Sequence, residues 1–246
     1  MMTRKIGLAV AVVSMLALVS AKATTYYVTN NVSSDYQPLA SFHPGPLTVN
    51  VEQFHQGPYD ELLKMKIAIT GYEQADIKGE NGSASAGSIS ASLSGDLWLT
   101  SVDFGNNPKV TFDYSSTSAS VAANEGIAGG GAKAYNGSGS DFHDFGLQSA
   151  SGSDITGWLY VADMNDPSMY IGSGTWGAKA KATGAWSITG TDDANTDVSG
   201  SSAKVDIQVI YAYTELIPEP GSVVLIGAGC CALYFRRRFQ KLSKKA

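Results

Sequence analysis

The amino-acid sequence predicts an all-β protein, an antiparallel β-sandwich of jelly-roll type. Several stretches alternate apolar and polar residues with a period of two, which is typical of half-buried strands. Clusters of Gly, Asn, Asp and Pro separate these stretches, as expected of turns. No convincing helical period occurs outside the two ends of the chain. Many short strands of this kind favour two sheets packed face to face.

Three stretches alternate most clearly. Their apolar faces consist of Leu63, Met65, Ile67 and Ile69; of Val110, Phe112 and Tyr114; and of Val205, Ile207, Val209, Tyr211 and Tyr213. Further strands are predicted at residues 47–54, 89–100, 157–162 and 176–189. A turn is predicted at 79–82, which reads Gly-Glu-Asn-Gly. Residues 126–153 are rich in Gly and Ser, so we expect a long loop there.

Charge is distributed unevenly along the 246 residues. Residues 24–216 contain 8 Lys, no Arg and 21 acidic residues, a formal charge of −13. Binding of nucleic acid requires clustered positive charge, so this composition excludes a nucleic-acid partner. It fits a soluble surface protein. The two cysteines, Cys230 and Cys231, lie outside this segment, which therefore has no thiol chemistry.

The N-terminus has the pattern of a secretory signal peptide. A basic start precedes an apolar run over residues 6–19, and Ala21 and Ala23 form a small-x-small cleavage site. We therefore expect residues 1–23 to be removed after Ala23. An uncleaved N-terminal anchor is the alternative. We call residues 24–216, which lie between this segment and the C-terminal residues 217–246, the body, and we expect it to be the exported domain.

The C-terminal residues 217–246 are predicted to form a membrane-inserted tail in three parts. A motif at 217–222 is followed by an apolar transmembrane helix at 221–235 and by a basic end at 236–246. The helix has a length of roughly 22 Å. A bilayer core measures about 30 Å, so flanking residues or local thinning must make up the difference. A buried core helix is the alternative.

The basic end of the tail sets its orientation. Arg236, Arg237 and Arg238 directly follow the apolar run. By the positive-inside rule, this cluster stops transfer and stays in the cytoplasm, while the body lies outside. That orientation agrees with the predicted signal peptide.

The three parts, in this order, resemble the PEP-CTERM protein-sorting tail over roughly Ile217 to Arg238. The resemblance implies recognition of Pro218, Glu219 and Pro220 by an exosortase, a membrane-embedded cysteine protease-transpeptidase that cuts near the motif. It also implies a cell-envelope protein of a Gram-negative bacterium that makes exopolysaccharide and biofilm matrix. The two prolines keep the motif extended, as a protease requires.

The body resembles the choice-of-anchor E type of exported domain. The residues that carry this resemblance are Val51-Glu52-Gln53-Phe54, the stretch from Leu62 to Tyr72, and the closing stretch from Val209 to Thr214. The resemblance covers much of residues 47–216. It implies an exported all-β domain without an assigned activity.

We predict no catalytic residue. His43, His55 and His143 lack the short paired spacing of zinc ligands, although a metal site or a His–carboxylate dyad remains the alternative to surface histidines. No segment matches the G-x-S-x-G elbow of a serine nucleophile. Paired carboxylates of a glycosidase are not marked by their context.

Calcium is the cofactor that the sequence suggests best. Asp193, Asn195 and Asp197 place oxygen ligands at alternate positions, which is similar to the start of a calcium loop. Val198 stands where that loop has Gly, and no Glu follows at the required distance. A second candidate is the segment 163–166. An acidic polar turn without a bound ion is the interpretation that we favour in both places, so we expect no cofactor.

Aromatic residues leave two functions open for the body. The chain has 12 Tyr and 4 Trp, which form strand cores or stack on sugar rings. The four tryptophans are Trp98, Trp158, Trp176 and Trp186. The first hypothesis is a structural or adhesive, non-enzymatic protein of the cell surface or extracellular matrix. The alternative is a carbohydrate-binding module for exopolysaccharide, and a secreted hydrolase ranks third.

Overall fold

The computed structural model describes residues 24–42, 45–57, 60–100, 107–116, 118–124 and 137–215, together with positions 229, 233 and 234. The strands in the described residues are β1 (Thr24–Ser33), β2 (Gln37–Pro38), β3 (Leu47–Glu52), β4 (Asp60–Asn81), β5 (Gly87–Leu99), β6 (Lys109–Ser115), β7 (Ala119–Val121), β8 (Phe142–Ile155), β9 (Leu159–Tyr160), β10 (Thr175–Thr189) and β11 (Ala194–Glu215). Short 3-10 helices cover Leu39–Ser41, Val161–Asp163 and Pro167–Met169. The all-β fold class is therefore confirmed.

The strands form two sheets. The six-stranded sheet has the order β1-β11-β4-β8, with β2 paired to β11 and β9 paired to β4. The five-stranded sheet has the order β3-β10-β5-β6, with β7 paired to β5. The pairs β4–β8, β5–β6, β10–β3 and β10–β5 are antiparallel, as the sequence predicts.

The core lies between the two sheets. Along β4, Met65, Ile67 and Ile69 are buried and alternate with half-exposed residues. Further along the same face, Ala75 and Ile77 pack against the apolar residues Ile89, Ala91 and Leu93 of β5 in the opposite sheet. Complete burial of a large aliphatic side chain stabilises a fold by about 1.5–3 kcal/mol. This alternation therefore holds the sandwich together.

A hydrogen-bond chain crosses the core. The indole Nε1 of Trp176 on β10 donates to the hydroxyl of Tyr211 on β11 at 3.1 Å. That hydroxyl donates in turn to the backbone oxygen of Glu52 on β3 at 3.0 Å. Burial raises the pKa of Tyr211 to about 12, although the hydrogen bond from Trp176 opposes the increase. Tyr211 is therefore a neutral donor that joins three strands.

Residue contacts divide the chain into two units. The large unit comprises Tyr27–His55 and Leu62–Ala212, and it contains both sheets. The small unit comprises Met1–Tyr26, Gln56–Glu61 and Tyr213–Ala246. Within its described residues, the rings of Tyr26 and Tyr213 stack with centroids 5.6 Å apart. The described part of the chain holds no helix that is both long and apolar enough to span a bilayer.

The largest correction to the sequence analysis concerns the predicted loop at 126–153. Residues 142–155 form β8, a strand that pairs with β4 along most of its length. Its burial alternates only between exposed and half-buried, because β8 lies at the edge of the sheet and carries many Ser and Gly residues. Gly146 adopts φ +64° near a bulge in this pairing, a conformation that favours glycine.

Smaller corrections concern strand ends. The predicted turn at 79–82 is wrong for its first three residues, which extend β4 to Asn81. The predicted strand at 157–162 shrinks to the two residues of β9, since a 3-10 helix begins at Val161. The strand predicted at 47–54 ends at Glu52. On the predicted faces, Leu63, Tyr114 and Tyr213 are half-buried rather than buried.

Candidate functional site on the outer face of the six-stranded sheet

Strand pairing brings lysines and aromatic rings together on the solvent-facing side of the six-stranded sheet. Lys64 and Lys66 alternate with the buried residues of β4, and Lys64 pairs directly with Tyr160 on β9. The Nζ atom of Lys64 lies 4.7 Å from the ring centroid of Trp158 and 5.3 Å from that of Tyr160. The Nζ atom of Lys66 lies 4.9 Å from the Trp158 centroid. These distances are typical of cation–π contacts.

A third ring completes this group. Tyr27 on β1 lies with its centroid 6.1 Å from that of Trp158, at an interplanar angle of 45°. Tyr27 is 61% exposed and Tyr160 is 52% exposed, whereas Trp158 is half-buried. We call Tyr27, Lys64, Lys66, Trp158 and Tyr160 the aromatic–lysine patch. Large rings grouped in the open mark a binding surface more often than isolated ones do.

A polar groove lies on the same face. Its volume is about 310 Å³, and Asn31, Ser33, Thr70, Asp206 and Gln208 contribute its polar side chains. The Nε2 atom of Gln208 donates to Oδ1 of Asn31 at 3.0 Å, which fixes both amides across β1 and β11. We call this feature the polar groove. Hydroxyl, amide and carboxylate groups in a shallow groove can bind the hydroxyl groups of a sugar.

Asp206 and Lys204 control the charge of this groove. Their Oδ1 and Nζ atoms lie 3.1 Å apart, and Nζ lies 5.0 Å from the ring centroid of Tyr72. Burial tends to raise the pKa of Asp206, but hydrogen bonds from Ser33 and Lys204 outweigh it and lower the pKa overall. A hydrogen bond to Asp206 raises the pKa of Lys204. Asp206 is therefore an ionised acceptor at neutral pH.

Tyr72 extends the face beyond the groove. The charge of Asp206 raises the pKa of the Tyr72 hydroxyl, and burial and a hydrogen bond to the same carboxylate add to the effect. Lys66 and Tyr72 are six residues apart on β4, a distance of roughly 20 Å. The aromatic–lysine patch and Tyr72 thus lie on a strip long enough for several sugar units.

Glu73 has unusual surroundings in the interior. Its side chain is 1% exposed, and neither carboxylate oxygen has a hydrogen-bond partner among the described residues. The carboxylate faces Gly95 and Gly184, which pair with each other on β5 and β10. A Cβ atom at Gly184 would collide with Oε1. Burial raises the pKa of Glu73 to about 7.

The structure places the predicted calcium ligands at the start of β11, with Asn195 and Asp197 in the strand and Asp193 just before it. In the second candidate, Asp166 accepts a hydrogen bond from the Ser168 backbone and so caps a 3-10 helix. No three His, Cys, Asp or Glu side chains within the described ranges lie close enough together to hold a metal ion. Calcium binding through Asp193, Asn195 and Asp197 stays a prediction.

The two described histidines, His55 and His143, lie in different surroundings. His55 borders a shallow cavity beside Gln53, and His143 lies edge-on to Phe145 with ring centroids 4.7 Å apart. His43 falls outside the described residues. So do the predicted cleavage residues Ala21 and Ala23, the sorting motif Pro218, Glu219 and Pro220, and the basic cluster Arg236, Arg237 and Arg238. These sites stay predictions.

Sequence reasoning missed most of the outer face. It named Trp158 among the aromatic residues but did not place it beside the polar residues that alternate along β4. Tyr27 lies on β1, a strand that it did not predict. The alternation along β4 was the available signal for the lysines, whereas contact with Tyr27 depends on the strand order.

No family model and no curated protein sequence matches this chain. Among solved structures, the chain is similar to the crystal structure of the infectious bursal disease virus VP2 subviral particle, at 12% identity and a TM-score of 0.16. A structure of the Gx strain of the same virus matches at 11% identity and a TM-score of 0.16. Each match covers 81% of this chain and 39% of the viral chain. The chain thus spans about two fifths of those proteins, and TM-scores this low carry no argument.

Proposed function

We propose that this chain is an exported, non-enzymatic protein of the cell surface or extracellular matrix, whose body adheres to polysaccharide. The observation that carries the proposal is the outer face of the six-stranded sheet, where the aromatic–lysine patch lies on the same face as the polar groove. Sugar rings present C–H groups that stack on Tyr and Trp, and hydroxyl groups that need polar partners. An open strip suits a polymer better than a small molecule, which prefers an enclosed pocket.

Affinity gel electrophoresis tests this adhesion with xylan and polygalacturonate in the gel. We expect at least one polymer to retard the protein, and the Tyr27→Ala/Tyr160→Ala variant to bind at least tenfold more weakly. Leu147→Ala is the matched control, since it removes another apolar side chain that is 63% exposed. Unretarded wild-type protein, or equal retardation of both variants, would contradict the proposal.

A secreted hydrolase is the weaker alternative. Perturbed carboxyl groups in clefts are typical of catalytic acids. Glu73 has a perturbed pKa, but it lies between the sheets, where a substrate does not reach. We therefore assign it a structural role.

The finer fold that we propose is a jelly roll. The pairs β1–β11 and β4–β8 are neighbours in one sheet, and β3–β10 and β5–β6 are neighbours in the other. Taken from the ends of the chain inward, these pairs alternate between the sheets, as expected of one long antiparallel ribbon wound into a sandwich. This order supports the assignment.

Export and sorting form the second part of the proposal. Residues 1–23 are the signal peptide, and 217–246 form a membrane-inserted tail that an exosortase recognises at Pro218, Glu219 and Pro220. The tail anchors the protein in the cell envelope before processing, and the body then reaches the cell surface or the medium. The support is the order of motif, apolar run and arginines in the sequence.

The intact mass of the protein recovered from the producing strain tests the sorting. We expect a species that begins at Thr24 and ends near Pro218, and its loss in a Pro218→Ala/Pro220→Ala variant. A chain that retains residues up to Ala246 in both cases would make this a plain membrane-anchored protein and exclude exosortase processing.

A further inference from the structure

We propose that the aromatic–lysine patch recognises the carboxylate groups of an acidic polysaccharide, with Lys64 and Lys66 as the carboxylate-binding residues. This inference rests on the polysaccharide adhesion proposed above and names its ligand class. It assigns the lysines to anion recognition and the exposed rings of Tyr27 and Tyr160 to stacking on the sugar.

The two ammonium groups are held beside one ring and have no carboxylate partner among the described residues. Both lie within 5 Å of the Trp158 centroid, at 4.7 and 4.9 Å. Because Lys64 and Lys66 are two residues apart on one strand, their backbones are about 7 Å apart. Two like charges so close repel each other, and an anion between them relieves that repulsion.

Three other lysines of the sandwich already have carboxylate partners. The Nζ atom of Lys78 lies 3.9 Å from a carboxylate oxygen of Asp144. The Nζ atom of Lys109 lies 2.9 Å from Asp96, and that of Lys204 lies 3.1 Å from Asp206. Within the described ranges, Lys64 and Lys66 form no such pair. Trp158 therefore takes the place of an acid and positions both ammonium groups while leaving their charge available. We regard Trp158 as a positioning residue.

Residues 24–216 carry a formal charge of −13, so the body as a whole repels a polyanion. A polyanion can therefore bind only where the surface is locally positive. At physiological ionic strength, charges interact over about 8 Å. The charged residues of the patch, the polar groove and its ion pair are three lysines, Lys64, Lys66 and Lys204, and one acid, Asp206. These four residues carry a formal charge of +2 although the whole body is acidic.

The residue types favour carboxylates over phosphates. Arginine is the side chain that binds phosphate in a bidentate manner, and residues 24–216 contain none. A lysine ammonium acts as a point charge, which suits single carboxylates spaced along a polymer. The stacking surfaces of Tyr27 and Tyr160 favour a sugar polymer over an anionic membrane.

The test compares polygalacturonate with its fully methyl-esterified form, which has the same backbone without the charge. The protein is purified from cells that express the whole chain of 246 residues. We expect at least tenfold tighter binding to the free acid in affinity electrophoresis, weakened by salt. Lys64→Gln/Lys66→Gln should lower that affinity at least tenfold and remove most of the preference for the free acid over the ester.

Lys179→Gln/Lys181→Gln is the matched control, since it removes two charges at the same spacing from β10 of the other sheet. This control should bind polygalacturonate as the wild type does. Equal loss in both double variants would mean that net charge alone matters and would overturn the inference.

Equal binding to acid and ester would overturn the acidic ligand but leave polysaccharide adhesion standing. Binding to xylan but to neither form of polygalacturonate would likewise overturn only the acidic ligand. Binding to none of these polymers would overturn both, as would lysine-dependent binding to vesicles of phosphatidylglycerol alone. These results are distinguishable in one set of gels and one vesicle sedimentation assay.

Discussion

The two faces of the six-stranded sheet carry similar side chains in opposite surroundings. On the inner face, Trp176 donates to Tyr211 and Tyr211 donates to a backbone oxygen, because no water is present to satisfy these groups. On the outer face, Trp158 is half-exposed and Lys64 and Lys66 rest on it without a carboxylate partner within the described residues. Contact with water permits unpaired charge on the outer face, whereas burial makes unpaired charge costly on the inner face. Free ligand-binding groups therefore belong to the outer face.

Glu73 is the exception on the inner face, and Glu73→Gln should have the largest effect on stability. The folded-state pKa of about 7 lies above the ordinary value of 4.5, so the folded protein holds this proton more tightly than the unfolded chain. Its contribution to stability is complete below pH 4.5 and is lost as pH rises through 7. The total loss is about 3 kcal/mol.

Urea unfolding between pH 4 and pH 9 measures this effect. The free energy of unfolding of Glu73→Gln should exceed that of the wild type increasingly as pH rises, since the amide cannot ionise. If the free energies of unfolding of the two proteins change with pH in parallel, the interior tolerates an ionised Glu73.

Gly184→Ala tests how the Glu73 carboxylate is accommodated, and it should change the free energy of unfolding by less than Glu73→Gln does. The new Cβ collides with the Glu73 carboxylate and comes within 2.8 Å of Leu39 Cδ1, so the core is overpacked. We expect a loss of about 2 kcal/mol in the free energy of unfolding. Most of that loss should disappear in a Glu73→Ala background, which a double-mutant cycle measures.

Gly157→Ala is the control for this cycle, because nothing lies within 4 Å of its Cβ position. It should change stability by less than about 0.5 kcal/mol. If Gly184→Ala is equally harmless, the glycine pair does not serve to accommodate Glu73.

The smallest effect should come from the outer face. Lys204→Met removes the ion pair with Asp206 but keeps an apolar side chain of similar length over Tyr72. Ion pairs in contact with solvent contribute little to stability, so thermal unfolding should shift by a few degrees at most. A shift as large as that of Glu73→Gln would mean that the outer face is structural rather than available for binding.

Sequence alone predicted the elements that have one buried and one exposed face. β4, β6 and β11 alternate Ile, Val and Phe with polar residues, and burial imposes that pattern. β1 and β8 were missed because both lie at the edges of the six-stranded sheet, where fewer side chains are buried and the pattern is weak.

The candidate site was harder to predict than the fold. Trp158 and Tyr27 are 131 positions apart in sequence and lie on segments whose adjacency depends on the order of four strands. Glu73 occupies an apolar position of the β4 pattern, but only the opposing pair Gly95 and Gly184 explains how it fits. Both features are set by contacts between strands, which periodicity does not encode.

The position of β11 determines how the body would carry a mechanical load. This strand has 22 residues and lies between β1 and β4, and it leads directly into the predicted tail. A force applied beyond Glu215 pulls β11 along its own axis, so the hydrogen bonds on both sides are sheared together instead of being peeled apart one by one. Forced unfolding depends on the unfolding rate, which such simultaneous loading keeps low. If the chain is the surface protein proposed above, this strand order suits it to holding a cell against flow.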